Sequence, residues 1–93
     1  MKIPQTLKIG GINYQVIVEN PRMHGCNGVG SNNDGVAIIT ISNTANRQVQ
    51  ESTLFHEMIE AINGTNDLQL SHQTISTLET SLYQILRDND LLK

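Results

Sequence analysis

The chain has 93 residues, a formal net charge of −3, 38% hydrophobic and 16% charged residues, which fits one small globular domain and excludes a disordered segment or a nucleic-acid binder with a basic stripe. With no tryptophan and one phenylalanine, its core has to be mainly aliphatic. No apolar run approaches the ~20 residues of a membrane span, and no secretory signal is expected from the opening Met1-Lys2-Ile3.

The runs 7–9 and 12–18 flank Gly10-Gly11, a hairpin signal because tight hairpin turns need positive φ. Residues 12, 14, 16 and 18 alternate onto one strand face, and Asn20-Pro21 ends that strand. Residues 22–35 are rich in glycine and asparagine and read as a loop that is long for a small domain. The loop lacks the lysine and glycine spacing of a phosphate-binding loop. It carries His24 and Cys26, either incidental or soft metal ligands able to fold over a site. Because Cys26 is the single cysteine, no internal disulfide framework exists, and a reducing cytoplasm is the simpler setting.

Residues 36–42 read as the next strand, with apolar side chains on both faces. Ser42, Asn43 or Thr44 is placed to cap a helix. That helix is expected over 45–63, with Phe55, Met58, Ile59 and Ile62 as its core stripe and Gly64 as its stop. A second helix is expected over 72–88, starting after Ser71, with Ile75, Leu78, Leu82, Ile85 and Leu86 as its stripe. The short link predicts an antiparallel hairpin of helices. The expected fold over 1–93 is a single α+β domain, mainly β over 1–42, in which a small antiparallel or mixed β-sheet packs on the antiparallel helical hairpin.

The segment His56-Glu57-Met58-Ile59-Glu60 carries the chemistry. At about 100° per helical residue, Glu60 falls some 40° from His56 and Glu57 some 100° from it. His56 and Glu60 lie one turn apart and can converge on one metal ion, while Glu57 lies to the side, within reach of an activated water. A histidine and glutamates on an ordinary wet helix face would satisfy the same string. The order of elements adds weight: a strand, the helix with the motif, a short turn and a second amphipathic helix.

Thr53-Leu54-Phe55-His56-Glu57-Met58-Ile59-Glu60-Ala61-Ile62 resembles the active-site helix of small zincin-like metallopeptidases. More narrowly, the chain is similar to short phage and prophage proteins of that type, whose motif reads His-Glu-x-x-His or His-Glu-x-x-Glu. The resemblance covers about residues 36–89 and extends loosely over the first 35. It implies a gluzincin-like layout and one divalent metal ion, zinc first, with manganese or iron as alternatives. His56 would bind the metal, Glu57 would act as general base in peptide hydrolysis, and Glu60 would occupy the second-ligand position. Glutamate in place of the second histidine makes the site harder and its metal less electrophilic.

Two residues are candidates for the third ligand. Glu79 matches the family's third-ligand glutamate in spacing and location, and His72, at the start of the same helix, would restore a set of two histidines and one carboxylate. Mirror symmetry about a turn near residue 67 leaves both in play. Tyr83, one turn beyond Glu79, is either a packing residue or a group that polarises a substrate carbonyl. The expected partner is a peptide or protein added as a strand along 36–42, with no nucleic acid or membrane. The expected setting is the cytoplasm of a bacterial host, phage or prophage encoded. The competing reading is a catalytically degenerate zincin-like module that binds metal or protein.

Overall fold

The computed structural model describes residues 1–20, 30–33 and 37–92. Its elements are β1 (Thr6–Ile9), β2 (Ile12–Glu19), β3 (Gly30–Asn33), β4 (Ile38–Ser42), α1 (Arg47–Asn66) and α2 (His72–Asp88). The α+β class, the mixed sheet and the helical hairpin all agree with the sequence expectation. His24 and Cys26 lie outside the described residues.

The hairpin of β1 and β2 forms where the glycine pair allows it. Gly10 and Gly11 sit at φ 58° and 81°, and Ile9 pairs with Ile12. Gly10 also lies so close to Thr65 that a Cβ there would approach Thr65 Cγ2 to 3.1 Å. Tyr14 and Val16, two of the four alternating positions of β2, point into the core, while Ile12 and Val18 at its ends are exposed.

The sheet order is β1-β2-β4-β3, with β2 and β4 parallel and both outer pairs antiparallel. Two sequence expectations are corrected here. Residues 22–35 do not read as loop throughout, because Gly30–Asn33 is a strand. That segment has no apolar alternation, and its extended form comes from its backbone ladder with β4. The 36–42 strand is also not an edge. Ile38–Ser42 is enclosed by β2 on one side and β3 on the other, so its backbone hydrogen bonds are already made.

Ile39 and Ile41 of β4 join Tyr14, Val16, Leu54 and Ala61 in the main buried cluster, with Met58 packed against it. Burying each valine, leucine or isoleucine of this cluster contributes roughly 1.5–3 kcal/mol. The face of α1 toward the sheet is therefore 54, 58 and 61. Of the expected stripe 55, 58, 59 and 62, Ile62 is exposed and Phe55 turns to α2, with its ring centroid 5.9 Å from that of Tyr83. The first helix touches both the sheet and α2, so it is enclosed on several sides and its periodicity blurs.

Helix ends follow side-chain chemistry. Asn46, rather than residues 42–44, caps α1: its Oδ1 accepts the Val49 N–H at 2.9 Å. Ser42 instead shapes the turn, where its Oγ accepts the Thr44 N–H at 3.2 Å. The helix runs through Gly64 and stops where Asp67 turns left-handed at φ 51°. There the Leu68 N–H donates to the Asn63 carbonyl at 3.1 Å and the Asp67 N–H to that of Gly64 at 3.4 Å. Ser71 caps α2 by accepting the Thr74 N–H at 3.1 Å. Among the described residues, no helix is long and apolar enough to cross a membrane.

Candidate metal centre

The hairpin brings residues 51–60 of α1 alongside residues 72–83 of α2. Three interhelical contacts fix the match. Ser52 Oγ donates to Glu79 Oε2, His56 Nδ1 lies 3.1 Å from Glu79 Oε1, and Tyr83 Oη donates to Glu51 Oε1 at 2.8 Å. These polar contacts turn α2 so that Ile75 and Tyr83 are buried while Leu78, Leu82 and Ile85 are exposed. The expected stripe 75-78-82-85-86 therefore splits, because its centre faces away from α1.

His56 is the hub. Its Nδ1 meets Glu79, and its Nε2 lies 4.0 Å from Glu60 Oε2 on the same helix. The His72 ring stands edge-on to it, with centroids 5.3 Å apart and planes at 60°. His72 itself is exposed, and its Nε2 lies 3.4 Å from Ser76 Oγ. The four residues named from the sequence as possible ligands, His56, Glu60, His72 and Glu79, are thus all neighbours of one imidazole.

Glu57 sits behind them, only 5% exposed. Its pKa is pushed up from 4.5 to about 7, chiefly because burial penalises the charged carboxylate. The charge of His56 opposes the rise, and Glu60 and Glu79 add to it. A carboxyl group poised near neutrality can take and return a proton.

The donor set suits a borderline divalent ion, since imidazole and carboxylate are ordinary ligands for one. Among the described residues, however, no three histidine, cysteine, aspartate or glutamate side chains are gathered tightly enough to hold an ion as they stand. Between His56 and Glu60 the separation is too long. Ligand atoms of a tetrahedral zinc site with bonds of about 2.0–2.1 Å lie about 3.3 Å apart. The separation of His56 Nε2 and Glu60 Oε2 is 4.0 Å, so rotating the half-exposed Glu60 side chain would close the gap.

Ser52 escaped the sequence reading, although it stands one turn before His56 on the same helix face. Tyr83 resolves to a buried structural partner of Glu51. A hollow of about 380 Å³ lies along the polar flank of α2, lined by Gln73, Ser76, Thr77, Thr80 and Ser81, and His56, Glu57, Glu60, His72 and Glu79 are not part of its lining. Comparison with family models, with curated proteins and with solved structures found no match to this chain.

Proposed function

We propose that the protein is a minimal metal-dependent peptide hydrolase of the zincin type. One divalent ion, zinc first and manganese or iron next, is held by His56, Glu60 and a residue of α2, either Glu79 or His72. The observation that supports this most is the clustering of Glu60, Glu79 and His72 around the His56 imidazole, with a carboxyl group of raised pKa beside it. A bound ion would supply Lewis acidity toward a carbonyl and a water. Glu57 takes a proton from the attacking water and passes it to the departing amine. The substrate is an extended peptide. It pairs with the outer edge of β3, the terminal strand of the sheet that touches α1, and not along 36–42. The setting is the cytoplasm of a bacterial host, consistent with a phage or prophage origin.

A second reading has its own support. The ligand atoms are not drawn together, and Leu78, Leu82 and Ile85 expose an apolar face on α2. These features fit a catalytically degenerate module that binds metal or protein without cleaving peptides.

Elemental analysis of protein purified without added metal, with melting curves in zinc and manganese, tests the site. The expected result is bound metal, or a rise in Tm that saturates with metal concentration. No bound metal and an unmoved Tm would sink both metal readings. Glu57→Gln is expected to abolish peptide cleavage and keep metal affinity. Metal binding without cleavage by wild type, across zinc, manganese and iron, moves the assignment to the degenerate module.

A further inference from the structure

We propose that Ser52 and Glu79 form a positioning pair behind His56, which fixes the imidazole with hydrogen on Nδ1 and turns a bare Nε2 toward Glu60 as the metal-facing nitrogen. This rests on the metal-site reading above and chooses between its two α2 ligands: Glu79 orients His56, and His72 completes the set.

Both oxygens of Glu79 are engaged. Oε1 faces His56 Nδ1 at 3.1 Å, and Oε2 accepts from Ser52 Oγ. Thr80 Oγ1 adds a longer contact to Oε2 at 3.5 Å. An ionised carboxylate can only accept hydrogen bonds, so the hydrogen in the 3.1 Å contact to His56 belongs to Nδ1. A neutral imidazole with hydrogen on Nδ1 has its lone pair on Nε2. That nitrogen lies 4.0 Å from Glu60 Oε2. One nitrogen cannot donate a hydrogen bond and bind a metal at once, so the ring divides its two sides between two carboxylates.

The pair is built into the hairpin. Ser52 and His56 stand four residues apart on α1, and Glu79 reaches across from α2 to touch both. The His56 and Glu79 side chains are only 15% and 17% exposed, so water competes poorly for the contact. Metal-binding histidines generally donate their second N–H to a carboxylate, carbonyl or water, which sets the tautomer and the ring angle. Here the carboxylate is itself held by a hydroxyl one turn upstream. With Glu79 occupied, the remaining candidate on α2 is His72, whose ring is 5.3 Å from that of His56.

Long-range proton–nitrogen correlation spectra of metal-free protein with labelled histidine decide the tautomer, at a pH where the His56 ring is neutral. His56 is expected in the Nδ1–H form. The Nε2–H form, or an even mixture, overturns the proposal whether or not metal binds. Ser52→Ala is expected to shift the spectrum toward a mixture and Ser52→Thr to restore it, with urea midpoints confirming that both fold. In zinc titrations, Glu79→Ala is expected to weaken binding roughly tenfold to a hundredfold, and His72→Ala to weaken it further. Loss of zinc binding in Glu79→Ala with none in His72→Ala makes Glu79 a ligand and overturns the assignment. If wild type binds no zinc yet shows the Nδ1–H form, the positioning pair stands and the metal reading falls.

Discussion

Tyr83 and Glu51 share a buried hydrogen bond of 2.8 Å that ties α2 to α1. The same carboxylate also receives Arg47 Nε at 3.1 Å and lies 3.8 Å from the N-terminal ammonium of Met1. Glu51 is therefore held by two hydrogen-bond donors and an ion pair with the N-terminus, and Tyr83 is the donor supplied by the second helix. Tyr83→Phe keeps the ring against Phe55 and removes only the hydroxyl. Its expected cost is about 1.5–3 kcal/mol, the usual contribution of a hydrogen bond to a charged partner. Urea denaturation followed by far-UV circular dichroism measures it. Unchanged stability with lost peptide cleavage would instead give Tyr83 a role in catalysis.

The raised pKa of Glu57 predicts a pH dependence in the metal-free protein. Below about pH 4.5 the group is protonated in both folded and unfolded chains, and its burial then costs no charge. Between 4.5 and about 7 the unfolded chain releases the proton while the folded chain keeps it, so stability falls as pH rises and levels off above the folded pKa. The full loss is on the order of 3 kcal/mol. Glu57→Gln removes this slope, so its advantage over wild type should grow from pH 4.5 to pH 8. A constant difference across that range would disprove the buried, proton-holding carboxyl group.

The two faces of α2 should respond oppositely to substitution. Ile75 is 1% exposed, and Ile75→Ala is expected to cost about 2–5 kcal/mol. Leu82 is 42% exposed, and Leu82→Lys should change stability by no more than about 0.5 kcal/mol. Denaturant midpoints of the two variants check this directly. A severe loss in Leu82→Lys would mean that the exposed leucine face is covered in solution.

Capping gives a sharper local test. Asn46→Ala removes the acceptor for the Val49 N–H and is expected to cost about 1 kcal/mol. Asn43→Ala, in the stretch that the sequence marks for the cap, should be close to neutral. Equal effects of the two substitutions, read from thermal unfolding, would contradict the cap position.

Much of the fold was legible because local chemistry agreed with it. The Gly10-Gly11 turn, the alternating β2 and the Ser71 start of α2 follow from positive φ, strand period and a capping hydroxyl. β3 was hidden because its residues carry no strand pattern, and only pairing with β4 makes them one. The orientation of α2 was hidden because hydrophobic periodicity counts apolar side chains, whereas Glu79 and Tyr83 are drawn inward by hydrogen bonds to Ser52, His56 and Glu51. At the site, helical spacing identified His56, Glu57 and Glu60. It could not show which α2 residue meets which nitrogen of His56, since that depends on how the two helices are rotated about their axes. Ser52 was missed because a serine on a helix carries no signal of its own until a carboxylate is placed opposite it.

The way α2 is attached has a consequence for amide exchange. Its buried side chains are Ile75 and Tyr83, and much of its grip on α1 is polar. A segment with little buried apolar surface opens at lower free energy than the body it docks on. Amides of α2 should therefore exchange with deuterium earlier than those in the middle of α1, which is covered from both sides. Each such opening withdraws His72 and Glu79 together while leaving His56, Glu57 and Glu60 in place. The hairpin is then a reversible clasp, and any ligand that bridges the two helices will register as slowed exchange along the whole of α2.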